Sequence, residues 1–271
     1  MRAFRQLICF FSFLLGLIAP LSAQRPTLFT ESPITSADGN LNVGAGFEYL
    51  KKNKVVPSRT PLSLWKIPVF RSYLGLGDII DVIVDWRGRL LAKQETGRHV
   101  SDWGDLTLGT KITLLRESKS RPAVGFMYLV KLPNTSHDEL LGSNQTDFFL
   151  SALGAKQIGD LHLRANLGVG ILDHPEEPHT QLDIYTTSVA VTVPVGEQHR
   201  IFVEWAGFLG AHSDQAKFLA RYGFESKIAE LQWSIFGSFR AIGNEKDFGT
   251  AFEYSESWGV GLFVRMEFPL W

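Results

Sequence analysis

The side chains with most chemistry to offer are charges set at alternate positions in otherwise apolar runs. Between Ile80 and Leu90, Asp81, Asp85, Arg87 and Arg89 share one parity while Ile80, Val82, Val84 and Trp86 share the other. Asp105 and Lys111 oppose Leu106, Leu108, Ile112 and Leu114. Arg164 opposes Leu161, Leu163, Leu167 and Val169, and Arg240 opposes Trp233, Ile235 and Phe239. Successive side chains of a strand point to opposite faces, so each segment carries one charged wall and one apolar wall. Charges lining a water-filled barrel would sort solutes by charge. The same charges, paired across neighbouring strands, would form a ladder that merely fills the interior. The sequence leaves both open. Ile83, Phe149, Phe202, Phe208 and Phe236 fall on the inward parity too, which suits an amphipathic or aromatic solute.

Covalent and metal chemistry find little support. A nucleophilic hydrolase needs a nucleophile beside a base. Of the seven histidines, His99, His137, His174, His179 and His212 fall in expected loops, and His199 lies near a turn. His162 points inward without a serine in its own segment. No His and carboxylate spacing suggests a metal, and Asp138-Glu139 and Glu176-Glu177 suit solvated loops. The only cysteine, Cys9, lies in a segment expected to be removed, so thiol catalysis, thiolate metal sites and disulfides are excluded from the mature chain. The expectation is a protein with no catalytic residue, no metal and no cofactor, not an enzyme.

The elements that would position the inward charges are strands. Beyond the four already described, alternation or β-forming composition predicts strands near 41–50, 63–73, 122–131, 147–157, 181–193, 199–208, 217–225 and 258–270, twelve in all. No later apolar stretch approaches the 18 residues of a membrane helix. A membrane protein without such helices must close its sheet, because lipid cannot satisfy open backbone edges. The connections alternate in length. Longer links lie near 51–62, 90–103, 132–146 and 242–257, with lesser ones at 172–180 and 209–216. Tight turns fall at Gly75-Leu76-Gly77, Arg116 to Arg121, Ile158-Gly159-Asp160, Gly196-Glu197-Gln198 and Ser226-Lys227. Short turns at one end and longer loops at the other mark an outer-membrane barrel, and an even strand count returns both termini to the periplasm. Trp65, Trp86, Trp103, Tyr128, Tyr185 and Trp258, near expected strand ends, could form interfacial girdles.

The amino terminus agrees with that compartment. Arg2 and Arg5 precede an apolar run from Leu7 to Ala19, closed by Pro20 and by Leu21-Ser22-Ala23, so residues 1–23 read as a signal peptide cut before Gln24. Residues 24–40, with Pro26, Ser32, Pro33 and Gly39, are expected to form a mobile periplasmic lead-in, and 41–271 the barrel. Losing Arg2 and Arg5 reduces 27 basic residues to 25 against 28 acidic ones, a net charge of −3. Nucleic acid is not an expected partner. The terminal Trp271 ends a strand whose Leu262, Val264, Met266, Phe268 and Leu270 form one apolar face. A terminal aromatic is similar to the signal that outer-membrane assembly machinery reads, although Trp271 shares parity with Pro269, Glu267 and Arg265.

The run Asp102-Trp103-Gly104-Asp105-Leu106-Thr107-Leu108-Gly109-Thr110-Lys111, then Pro122 to Val130 and Lys131-Leu132-Pro133-Asn134, resembles the outer-membrane family labelled "MetA-pathway of phenol degradation". Gly154-Ala155-Lys156 and Leu167-Gly168-Val169-Gly170 fit the same pattern, though Leu132-Pro133-Asn134 stands where that family often has a Pro-Thr-Gly type ending. The resemblance implies a transporter-like barrel and a link to aromatic compounds, with no substrate carried over. The sequence therefore predicts an all-β, antiparallel up-and-down transmembrane barrel in the outer membrane, passing small solutes. Its expected partners are outer-membrane lipid, the assembly machinery and a small-molecule solute. A plugged structural or adhesive barrel is the alternative, an envelope enzyme a more distant one.

Overall fold

Period-two alternation places an apolar side chain outward at nearly every second position, and the sheet it builds has no free edge. In a computed structural model, residues 29–54, 61–136, 141–142, 144–173, 181–210, 216–242 and 256–271 are described. They contain β1 (Asn40–Lys54), β2 (Pro61–Leu76), β3 (Ile80–Trp86), β4 (Arg89–Gln94), β5 (His99–Trp103), β6 (Leu106–Leu115) and β7 (Ala123–Leu132). The second half comprises β8 (Asp147–Ile158), β9 (Leu161–Asp173), β10 (Gln181–Pro194), β11 (His199–Gly210), β12 (Ala216–Ile228), β13 (Leu231–Ile242) and β14 (Trp258–Pro269). All pairings are antiparallel between neighbours, and β1 pairs with both β2 and β14, which closes the ring.

Fourteen segments make twelve positions around the barrel, because two strands are each broken once. Along β2, Phe70–Leu76 pairs with β3 and Leu62–Ile67 with β4. β6 and β5 continue β3 and β4 in the same way. The breaks at Arg87-Gly88 and Gly104-Asp105 lie beside each other, next to Pro68 of β2. Gly88 adopts a left-handed φ of 53°, and a Cβ there would stand 2.2 Å from the Pro68 carbonyl oxygen. Only glycine fits such a bulge, which advances the strand by one residue and reverses its faces.

That reversal corrects two expectations. The link expected at 90–103 is instead the β4–β5 hairpin, closed by Gly97 at φ 89° and by Gln94 N donating to Arg98 O at 2.9 Å. Beyond the bulge Leu90 and Ala92 turn inward, while Leu91 is exposed on the outside. The turn expected at Ser226-Lys227 also lies elsewhere. Both residues pair with β13, and the chain reverses at Ala229-Glu230, with Ala229 at φ 55°. A left-handed alanine gave no compositional signal for a turn.

Short reversals at Gly77-Asp78, 116–122, Gly159-Asp160, 195–198 and Ala229-Glu230 share one end of the barrel with Gly39 and Trp271, here the turn end. The hairpin 95–98 and the segments between the remaining strands mark the loop end. The outer face is apolar around its circumference, with Val82, Leu108, Leu167, Val169, Val203, Ile235 and Val260 among its exposed residues. The signal segment 1–23 lies outside the described residues. Residues 29–38 do not form a lead-in beneath the barrel: they run up inside it, with Thr30, Glu31, Ser32, Thr35 and Ser36 buried. Where the strap passes β2, a Cβ on Gly75 would stand 2.1 Å from the Ala37 carbonyl oxygen.

Candidate functional site

The strap finds its place because inward polar side chains meet its backbone, which cannot form a ladder of its own inside the barrel. From the turn end upward, Ser36 N donates to Asp81 Oδ1 at 2.9 Å, and Thr113 Oγ1 donates to Pro33 O at 2.6 Å. With its amide oriented to satisfy both groups, Asn166 donates to Glu31 O and accepts from Glu31 N. Thr30 donates to Glu204 through its amide and, at 2.6 Å, through Oγ1. At the top, Phe29 lies 3.8 Å under the Arg221 guanidinium and edge-on to Phe208.

Glu31 is the electrostatic centre of the strap. Tyr73 Oη donates to its carboxylate at 2.6 Å, Arg71 Nη1 lies 3.6 Å away and Lys111 Nζ 3.7 Å away. Lys111, fully buried, also pairs with Asp81 at 3.2 Å, and Arg71 pairs with Asp85 at 2.5 Å. Unpaired charges are very costly in such a place, so a network with alternating signs is the arrangement that tolerates burial.

Above and beside Glu31 opens a cavity of about 230 Å³, far more than the roughly 10–15 Å³ one water requires. Tyr73, Ile83, Met127, Leu129, Phe149 and Phe208 give it apolar walls, and Arg71, Arg87 and Lys131 face it beside Asp85 and Asp147. Arg87 Nε lies 3.3 Å from Asp85, and Lys131 Nζ lies 2.5 Å from Asp147. Toward the loop end Leu50, Leu62, Leu64, Leu90, Val100 and Leu219 form an apolar cluster inside the barrel, several of them inward because of the bulge. Lys66, Lys217 and Glu256 are buried at that end as well, so charged and apolar side chains share the lumen toward the loops.

The eight residues singled out from the sequence do not form one wall. Asp81 and Lys111 hold the strap, while Asp85 and Arg87 line the cavity. Asp105 accepts from the amides of Asn134 and Thr135 at 2.9 and 3.2 Å, and so anchors the chain leaving β7. Its neighbour Asp102 does the same for Ser136 at 2.7 Å. Arg164 faces inward and donates to Thr192 Oγ1 at 3.0 Å. Arg240 Nε reaches the Glu256 carbonyl at 3.4 Å. Arg89, expected on the lumen wall, is on the outer face, because Gly88 shifts its strand by one residue. It donates to Ser101 Oγ at 2.9 Å, with its guanidinium 5.0 Å from the Trp103 ring centroid.

Sequence reasoning missed Glu31, Arg71, Lys131, Asp147, Glu204 and Arg221. Arg71, Lys131 and Glu204 share parity with inward neighbours, and that signal could have found them. Glu31 lies in a segment with no periodicity to detect. One serine–histidine pair was also missed: His199 Nδ1 and Ser226 Oγ are 3.0 Å apart at the turn end, and the imidazole stacks on Phe224. Among the described residues no carboxylate orients that ring, so the arrangement a nucleophilic serine requires is incomplete.

No protein-family model matches the chain, and no curated protein matches it. Among solved structures it is similar to an outer membrane channel from Pseudomonas putida F1, at 13% identity and a TM-score of 0.64, covering 91% of this chain and 100% of that one. It is also similar to the NanC porin, at 7% identity and a TM-score of 0.53 over 83% of this chain and 98% of that one. The translocator domain of the autotransporter NalP from Neisseria meningitidis gives 9% identity and a TM-score of 0.54, over 84% of this chain and 88% of that one. At these identities the likeness establishes architecture: the chain is an all-β, closed antiparallel barrel of twelve strands, built like those of the outer membrane.

Proposed function

We propose that this protein is an outer-membrane channel for small solutes with an apolar or aromatic body, and that the strap 29–38 restricts its lumen. The supporting observation is the cavity against Glu31, where six apolar side chains turn inward among paired charges. A passage for ions alone needs no such wall, whereas an aromatic solute gains burial on it while Arg71, Arg87 and Lys131 meet its polar end. The apolar outer face suits a bilayer, and the shared fold with a protein described as an outer membrane channel agrees with conduction. Delivery by a cleaved signal peptide and the outer-membrane assembly machinery belongs to this reading.

Conductance in planar bilayers tests it. The purified barrel should carry a small ion current, and an added aromatic such as 1-naphthol should reduce it by occupying the cavity. Ala206→Trp, which fills the cavity from β11, should remove that block. The tight packing of the strap favours the plugged, structural barrel as a second reading. No current from the wild type, nor from a variant with a loosened strap, would establish it instead.

A further inference from the structure

The bulge that turns Leu90 and Ala92 into the barrel sends basic residues the other way. On the outer face of β2, β4 and β5, register aligns Ser63, Lys93 and His99 in one row near the loop end, and Lys51 of β1 joins it at a β-bulge. Lys51 Nζ donates to Ser63 Oγ at 3.1 Å, and Lys93 is exposed on the strand beyond Ser63. Two strand spacings separate the two lysines, about 10 Å. Immediately nearer the barrel's middle runs an aromatic row. Tyr49 and Trp65 pair in it with ring centroids 4.8 Å apart, and Tyr49 also lies 5.5 Å from Trp258, which stands level with Lys51; both tryptophans are more than two-fifths exposed. Arg89 stands one step further down, held by Ser101 and Trp103.

Among the described residues, the outward positions of these four strands carry no carboxylate, and neither Arg89 nor Lys93 has an acidic partner. Lys156 provides the contrast. It is the outward cation at the opposite, turn end, and Glu117 neutralises it at 3.1 Å. An aromatic belt sits where hydrocarbon meets headgroups, so Lys51 and Lys93 stand at headgroup height. Arg89 is long enough to extend its guanidinium toward them. Three uncompensated cations above an aromatic floor suit an anionic headgroup whose acyl chains lie along Trp65, Ile67, Leu91 and Trp103.

We propose that this patch is a binding site for lipopolysaccharide. Lys51, Lys93 and Arg89 hold phosphates of its lipid A part, and the aromatic row packs its acyl chains. The proposal rests on the membrane reading above, with the loop end outside the cell. It adds a lipid site on the barrel wall, separate from the lumen.

Native mass spectrometry of the refolded barrel in detergent micelles, with EDTA present to remove bridging divalent ions, tests it. Diphosphoryl lipid A should remain bound one to one, while the same lipid stripped of phosphate and phosphatidylethanolamine should not. The triple variant Lys51→Gln, Arg89→Gln, Lys93→Gln should lose at least tenfold in lipid A affinity yet keep the heat-modifiable gel shift of a folded barrel. Lys119→Gln at the turn end should change nothing. Equal affinity of wild type and triple variant, or no wild-type preference for the phosphorylated lipid, overturns the site while leaving the channel reading intact. A chain that never yields a heat-modifiable barrel in micelles or vesicles overturns both.

Discussion

If Glu31 pins the strap, removing its charge should let residues 29–38 leave the lumen while the barrel stays closed. Glu31→Gln keeps the side chain's size and an acceptor for Tyr73, but withdraws the negative charge from Arg71 at 3.6 Å and Lys111 at 3.7 Å. Each attraction amounts to about 4–5 kcal/mol at an effective dielectric of roughly 20. Most of that is offset, because the glutamine no longer has to be desolvated as an ion, and Arg71 and Lys111 keep Asp85 and Asp81. Hydrogen bonds to charged groups have net values of about 1.5–3 kcal/mol, and we take 2–3 kcal/mol for the loss. That raises the population with the strap released by about 30- to 150-fold. Cys9 is the single cysteine of the sequence, so in a Cys9→Ser background Ser32→Cys supplies one buried reporter. A maleimide should label this cysteine 30- to 150-fold faster when Glu31→Gln is also present, by that same estimate. Equal labelling rates in two samples that both show the folded gel shift would refute the assignment of Glu31 as the strap's anchor.

Other expectations follow from the same contacts. Lys111→Gln leaves Asp81 buried beside one fewer cation and should cost about 3–5 kcal/mol in urea unfolding from vesicles; Arg87→Gln, at a partly open cavity wall where Asp85 keeps Arg71, should cost little and shift the reversal potential under a salt gradient toward cations. Measurable conductance with an unchanged reversal potential would remove Arg87 from the permeation path. Leu167→Arg, at the middle of β9's outer face, should reduce folding stability in lipid by about 2–4 kcal/mol, against about 0–1 kcal/mol for Ile158→Arg at the turn-end rim. At the turn end, burial pushes the Glu117 carboxyl up, but the Gln157 amide and the Lys156 ammonium outweigh it and hold the group below its ordinary value. A depressed carboxylate stabilises the fold above its unfolded pKa, and that contribution is lost as pH falls from about 5 toward 2. Glu117→Gln should therefore lessen the acid sensitivity of the unfolding midpoint, by no more than the roughly 0–1 kcal/mol of a surface pair.

All twelve barrel positions were legible because each strand has to satisfy two media at once. A side chain that fits lipid does not fit the interior, so the requirement is written at period two. Leu161 to Ile171 shows it most plainly, with Leu167, Val169 and Ile171 outward and Arg164 and Asn166 buried. The same regularity misled the reading at Arg89. Extrapolating the phase of Asp81, Asp85 and Arg87 through Gly88 assumes an unbroken strand. A single left-handed glycine breaks that assumption and exchanges the two faces for every residue beyond it. A glycine inside an alternating run was the available clue to a bulge.

The strap was illegible for a different reason. Residues 29–38 make neither a helix nor a ladder, so no period constrains their composition, and Pro33 and Gly39 resemble those of any exposed linker. Their place is specified by hydrogen bonds to partners remote in sequence, Asp81, Thr113, Asn166 and Glu204. This also changes what an inward charge implies. Parity alone cannot distinguish an ion that meets solute from one that meets the chain's own backbone, because both face away from lipid. Lys111 and Arg87 share that parity, yet Lys111 is sealed between Asp81 and Glu31 while Arg87 faces open volume. The selectivity of any current through this barrel therefore depends on the charges the strap leaves uncovered, and it should change when the strap moves.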